Sequence, residues 1–238
     1  MPRFYVDTAL RAGMSCLLPE DSAHHAVHVL RVRAGDDITL FNGRGGEYAG
    51  RIASIERLKV LVDVLAHRAL ERELPLRVLL AQGISSGERM DFTVRKSVEL
   101  GVAEIQPLLA ASSVARPRGE RAAARHAHWQ KVAIAACEQC GRNRIPTVHA
   151  PVPVLDYRGA AGTRILLAPS AELRFSVACR GGEEFTIAAG PEAGFSPEEQ
   201  ATLVEAGFVP ARLGPRVLRT ETAGVAALAA LSALRGDF

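Results

Sequence analysis

The segment Leu213-Gly214-Pro215-Arg216-Val217-Leu218-Arg219-Thr220-Glu221-Thr222 gathers most of the side chains in this chain that could do chemistry together. A glycine-proline corner, two arginines and a Thr-Glu-Thr cluster run directly into residues 223–234, which are almost wholly Ala, Leu and Val. Polar groups that dense at the mouth of an apolar helix are costly unless they bind something. Arg216 and Arg219 lie just before or at the helix start, where the positive end of the macrodipole disfavours a cation. A capping or ion-pair role for Arg219 and Glu221 is the structural alternative; the misplaced charge favours binding of an anion or a polar base. A second loop, Gly190-Pro191-Glu192-Ala193-Gly194, follows an apolar run. Glycine lets backbone approach a ligand closely and proline stiffens the turn. Such a loop can offer N–H and C=O groups to an adenine edge or a carboxylate, and together the two loops are the best pocket candidate in the chain.

Other chemistry is poorly supported. Cys137 and Cys140 have C-x-x-C spacing but lie inside a long helix, whereas a redox pair would open one. No second pair or matching histidine completes a zinc set, so a structural role and no metal are expected. His24, His25 and His28 lack a carboxylate or Cys at ligand spacing and read as surface or RNA-contacting residues. Neither a G-x-S-x-G elbow nor a P-loop occurs, which disfavours serine hydrolysis and phosphoryl transfer.

These loops need a scaffold, and the pattern describes one. Residues 76–81, 104–109, 164–168, 184–189 and 209–213 read as strands. Between them, 88–100, 118–140 and 197–206 read as helices, and a last helix begins near Thr222. Ser196 is placed to cap its helix, with Pro197 in the favoured first turn. Strand and helix in alternation predict an α/β domain over 75–238 with a mainly parallel sheet, whose ligands gather at the carboxyl ends of strands. Residues 1–70 are different: strands at 37–41, 47–55 and 59–65, with Asn42-Gly43 and further glycines as a hairpin turn, and one short helix over 21–31. That is the pattern of a small β-barrel, joined to the larger domain by a charged linker over 66–75.

With 48% hydrophobic and 23% charged residues, the 238-residue chain can bury a full core. No run approaches a membrane span, no secretion signal opens the chain, and four cysteines do not suggest a disulfide scaffold; a cytoplasmic protein is expected. The net charge is only +3, but residues 75–144 carry 11 Lys/Arg against 6 Asp/Glu. That local excess favours a polyanionic partner, with a solvated basic helix face as the alternative. The final helix is apolar nearly all round, so a second copy of the chain is expected to cover part of it, as a homodimer.

Over nearly its full length the chain resembles the RsmE-type bacterial ribosomal RNA uridine-N3 methyltransferases of the SPOUT superfamily. The matching residues are 90–102, 135–144 with Glu138-Gln139-Cys140-Gly141-Arg142, the loop 190–194, and 213–222. The resemblance implies a PUA-like β-barrel RNA-binding domain over 1–70 and a trefoil-knotted SPOUT α/β methyltransferase domain over 75–238. It also implies S-adenosyl-L-methionine as cofactor, 16S ribosomal RNA of the small ribosomal subunit as substrate, and an obligate homodimer. By position, Leu167, Gly190, Glu192, Gly194, Leu213, Gly214, Leu218 and Thr222 would surround the cofactor. Arg219 would stabilise the uracil anion, and Glu221 would orient that arginine or accept the N3 proton. Arg31, Arg33, Arg89, Lys96, Arg116, Arg142 and Arg144 would grip RNA.

The chain departs from the family pattern twice. Ala193 stands where glycine is usual, which would strain the loop if that site requires positive φ. Leu167-Ala168-Pro169 lacks the histidine often found before that proline. Two rival readings are a non-catalytic RNA-binding ribosome assembly factor, to which Ala193 alone points, and a nucleotide-dependent oxidoreductase, disfavoured by the missing dinucleotide fingerprint.

Overall fold

The structure is a computed structural model and describes residues 1–113 and 119–238. The chain divides into two compact units: Met1–Glu73 with Cys137–Ile145, and Leu74–Ala136 with Pro146–Phe238.

In the first unit a five-stranded sheet has the order β1 (Arg3–Tyr5), β3 (Asp37–Phe41), β4 (Glu47–Glu56), β5 (Lys59–Arg68), β2 (Ser15–Leu17). Its core is Phe4, Val6, Ile38, Leu40, Ile52, Val60, Val62 and Val64, the inward positions of alternating strands. Three differences from the sequence reading have physical causes. The strands β1 and β2 are three residues each, too short to show a period. The helix expected over 21–31 is α1 (Glu20–His24), continued by a π-helical turn over His25–Val29, with Pro19 at its N-cap. Arg31 then turns to φ 55 and ends it. The expected linker begins later than 66, because β5 pairs with β4 through Arg68.

In the same unit, segment 141–145 is held by a polar network. The Arg142 guanidinium is only 3% exposed and bonds the Glu73 carboxylate through Nε at 3.1 Å and through Nη2 at 2.5 Å. Arg3 bridges Glu47 at 2.7 Å and Asn143 Oδ1 at 2.7 Å, while Arg72 reaches Glu47 at 3.3 Å and the Gly141 carbonyl at 2.9 Å. Burial is the largest influence on Glu47 and pushes its carboxyl upward. The hydrogen bonds and charges of Arg3 and Arg72 outweigh it and hold the carboxyl below its ordinary range.

The second unit is built on seven strands, all paired in parallel. Their order is β12 (Val209–Ala211), β10 (Thr163–Leu167), β11 (Glu184–Ala189), β6 (Arg77–Gly83), β7 (Glu104–Leu109), β8 (Thr147–Val148), with β9 (Val152–Pro153) also on β7. The central strands are apolar at successive positions, as buried parallel strands must be: Val78–Ala81 of β6 and Phe185–Ala189 of β11 are buried throughout. The helices are α2 (Gly87–Glu99), α3 (Glu120–Cys140), α4 (Phe175–Ala178), α5 (Pro197–Glu205) and α6 (Thr220–Arg235), with a short 3-10 turn at Val154–Asp156. Ser196 caps α5 with a full capping box to Glu199. The final helix begins at Thr220, two residues earlier than the sequence suggests.

Candidate functional site

The loops after β10, β11 and β12 leave the sheet at its carboxyl edge and enclose a cavity of about 190 Å³. Leu167, Gly190, Glu192, Gly194, Leu213, Gly214 and Leu218 all line it. Thr222 does not: it is exposed, and Thr220 and Ala223 face the cavity instead. A helix advances 100° per residue, so positions 220 and 223 share a face that 222 cannot join.

Between β11 and α5 the loop is held closed by its own backbone and by three neighbours. Gly194 N–H donates to the Pro191 carbonyl at 2.8 Å. The Gly190 carbonyl accepts from Thr220 Oγ1 at 2.7 Å and from Gln82 Nε2 at 3.5 Å, and Gln82 Nε2 also donates to Thr220 Oγ1 at 3.1 Å. Ser112 Oγ donates to the Gly194 carbonyl at 2.6 Å, and the Ala111 N–H to Glu199, a carboxylate only 3% exposed, at 2.6 Å. A Cβ at Gly190 would be crowded, lying 3.0 Å from Gly194 Cα and 3.1 Å from Phe195 N, so that the loop would have to give by a few tenths of an ångström. Gly194 takes φ 74, whereas Ala193 keeps negative φ. The residue that departs from the family pattern therefore occupies backbone that any L-residue adopts, and the loop is not strained by it.

Glu192 Oε1 accepts from the Ser86 N–H at 3.0 Å and from Arg89 at 3.1 Å. Burial, the largest influence, raises its carboxyl, but these donors and a backbone N–H of its own residue hold it below the ordinary range. A fixed negative charge thus stands in the cavity lining. In the same lining, the loop from Leu213 to Leu218 has no backbone partners among the described residues for the N–H groups of Leu213, Gly214, Arg216, Val217 and Leu218. A cradle with one carboxylate, free backbone donors and apolar walls suits a ligand carrying a cation, a polar ring edge and an anionic group.

Arg219 is exposed at the N-cap of α6 and makes no side-chain capping bond. Glu221 is half-buried, and its Oε2 has no hydrogen-bond partner. Neither forms an ion pair among the described residues, so the capping and ion-pair alternatives for these two residues fail. The expected RNA-contacting residues fare differently from one another. Arg31, Arg33 and Arg144 are exposed, Arg144 with Glu71 at 3.5 Å; Arg89 and Lys96 are half-buried and paired with Glu192 and Glu99. Arg142 is a correction: buried and committed to Glu73, it presents no guanidinium to a ligand. Arg116 lies outside the described residues. Gln82, Ser112 and Thr220 were missed because each acts on a residue at least 30 positions away. Burial pushes the Cys137 thiol up to about 12, which keeps it protonated and fits a structural role. Among the described residues no group of His, Cys, Asp and Glu could hold a metal ion.

Residues 72–232 match the model of the RNA methyltransferase domain, and 18–65 that of the RNA methyltransferase PUA domain. The fold is therefore that of an RNA methyltransferase domain with a PUA domain. The chain is similar to the methyltransferase Lpg2936 of Legionella pneumophila, solved with bound cofactor SAM (36% identity, TM-score 0.95, covering 99% of this chain and 98% of that one). It is similar to the ribosomal RNA small subunit methyltransferase E of Neisseria gonorrhoeae, bound to S-adenosyl methionine (38%, TM-score 0.92, 100% and 99%). It is also 32% identical to the enzyme of that name from Buchnera aphidicola, over 100% of this chain and 95% of the relative. The chain belongs to the ribosomal RNA small subunit methyltransferase E family.

Proposed function

We infer that this protein methylates N3 of a uridine in the 16S ribosomal RNA of the small subunit, using S-adenosylmethionine held in the cavity at the ends of β10, β11 and β12. The observation that carries the reading is the Gly190 loop, cinched by Thr220 and Gln82 and too tight at Gly190 to take a Cβ without the loop giving way. When bound, the cofactor supplies an electrophilic methyl group on a sulfonium. Glu192, ionised but paired with Arg89 through Oε1, has its other carboxylate oxygen left for that cation. The free N–H groups of the 213–218 loop suit the adenine edge and the carboxylate of the amino-acid part, and Leu166, Leu213, Leu218 and Phe195 exclude water from the apolar remainder.

Uridine N3 carries a proton and is a poor nucleophile until that proton is shared or removed. Arg219, exposed and unpaired at the head of α6, is suited to stabilising negative charge on the uracil carbonyls. Glu221 has a buried oxygen without a partner and is the candidate for orienting Arg219 or taking the proton. The transfer itself is an in-line displacement governed by alignment.

The finer architecture belongs to the same reading. A trefoil knot is supported by the match of 72–232 to the RNA methyltransferase domain, and a PUA-like barrel with an RNA-gripping role by the match of 18–65 and the five-stranded sheet of the first unit. A homodimer is supported by α6, where Val225, Ala226, Ala229 and Ala230 are incompletely covered and Leu234 is 51% exposed in the single chain. No helix among the described residues is long and apolar enough to cross a membrane. The test is incubation with S-adenosylmethionine and small ribosomal subunits from cells lacking this protein, with mass spectrometry of the nucleosides. A gain of one N3-methyluridine is expected. Binding of S-adenosylhomocysteine without any methyl transfer would favour the assembly-factor reading instead.

A further inference from the structure

A second cavity, of about 420 Å³, lies against the first and shares with it the wall formed by Arg212, Leu213 and Gly214. Its other lining residues are Arg174, Phe175, Ser176, Pro215, Ala230 and Leu234, so two arginines, a serine and apolar residues border it, and no acidic residue does. Its size is that of a small-molecule site.

The two arginines are built into place. Arg174 and Arg212 form an isolated parallel bridge, secured by the Arg212 N–H to the Leu173 carbonyl at 2.9 Å and the Phe175 N–H to the Arg212 carbonyl at 2.9 Å. Arg212 is steadied further by its Nη1, which donates to the Ala171 carbonyl at 2.7 Å. Like charges placed side by side on adjoining strands repel. Here neither Arg174 nor Arg212 has an ion pair among the described residues; nor has Arg216, on the rim of the first cavity. Two neighbouring cations, one held at Ala171 and one exposed, with no counter-charge from the chain call for an anion from outside.

We propose that this cavity, at the edge of the α6 face read above as the surface between copies, is a subsite for a nucleotide neighbouring the target uridine, with Arg174 and Arg212 on its phosphodiester and Phe175 and Pro215 against its sugar or base. The inference rests on the reading of the first cavity as the cofactor site, because the shared wall puts the second ligand one loop's thickness from the reacting groups. Planar guanidinium forks suit phosphate oxygens, and apolar side chains give a base a sequence-tolerant platform. The subsite takes RNA rather than a free anion, because an apolar lining of this extent gains nothing from a small hydrated ion.

The experiment uses full-length protein and small ribosomal subunits from cells lacking it. Arg174→Gln is expected to raise KM for subunits about tenfold and to lower the slope of log KM against log salt by about one phosphate contact. The thermal midpoint and the affinity for S-adenosylhomocysteine should stay within twofold or a degree or two of wild type, and Arg174→Lys should restore the salt slope. Three results would overturn the subsite. If wild type does not bind S-adenosylhomocysteine, the cofactor reading falls and this inference with it. If wild type binds and methylates but Arg174→Gln leaves KM and salt slope unchanged, the subsite alone falls. If Arg174→Glu converts a dimer to a monomer by light scattering, the cavity belongs to an interface between copies.

Discussion

Two groups of arginines, one in each unit, serve opposite purposes. In the first, Arg3, Arg72 and Arg142 are matched to Glu47 and Glu73 and stitch segment 141–145 into its unit. In the second, Arg174, Arg212, Arg216 and Arg219 stand on loops at the carboxyl edge of the sheet and at the head of α6, with no carboxylate partner among the described residues. Two regions with similar charge content thus carry different meanings, and pairing separates them. An arginine whose charge is cancelled within the chain holds structure; an uncancelled one on a pocket rim is available to a ligand.

The sharpest way to break this contrast is to remove one arginine from each set. Arg142→Ala leaves the Glu73 carboxylate without its partner, and breaking a buried pair costs about 3–5 kcal/mol. Urea unfolding of the variant should therefore show a large fall in midpoint. Arg219→Ala is expected to do the reverse: an unchanged urea midpoint and unchanged S-adenosylhomocysteine affinity, but single-turnover methylation slowed about 10²–10³-fold. Full turnover by Arg219→Ala would remove it from the chemistry. A smaller effect tests the cavity without touching a charge. Gly190→Ala must push Gly194 and Phe195 apart by a few tenths of an ångström, a strain of about 1–3 kcal/mol. Calorimetry should find S-adenosylhomocysteine bound at least fivefold more weakly.

Part of this contrast is visible in the residues alone. The strand–loop–helix runs around 184–206 and 209–235 are legible because buried parallel strands are continuously apolar and because Gly-Pro and Ser-Pro mark their ends. Thr222 was placed by position in the family pattern alone; on α6 it falls about 200° round from Thr220 and outside the cavity lining. Arg142 was misjudged for a different reason. A charge count finds it in a basic stretch, while its partner Glu73 lies 69 residues earlier, in what composition reads as linker. Gln82 gives no local signal: its meaning comes from two residues, Gly190 and Thr220, that approach it only when β6, β11 and α6 are assembled. What escaped the sequence is consistently the long-range pairing of polar groups.

The smallest predicted effect sharpens the claim that the first unit's arginines act through pairing. Glu47 has a folded-state carboxyl held below its unfolded value near 4.3. A depressed carboxylate contributes stability that is fully present above the unfolded value and is lost as pH falls through the folded one. Glu47→Gln keeps the shape and an acceptor for Arg3 but removes the charge. It should cost on the order of 1–2 kcal/mol at neutral pH. Below about pH 4 the gap between variant and wild type should narrow, because wild type is then losing the same charge by protonation. Urea midpoints measured from pH 7 down to 3 would display the convergence. Parallel curves across that range would mean that Glu47 contributes packing rather than charge, and would leave Arg3 and Arg72 without the counter-ion that distinguishes them from the arginines at the sheet edge.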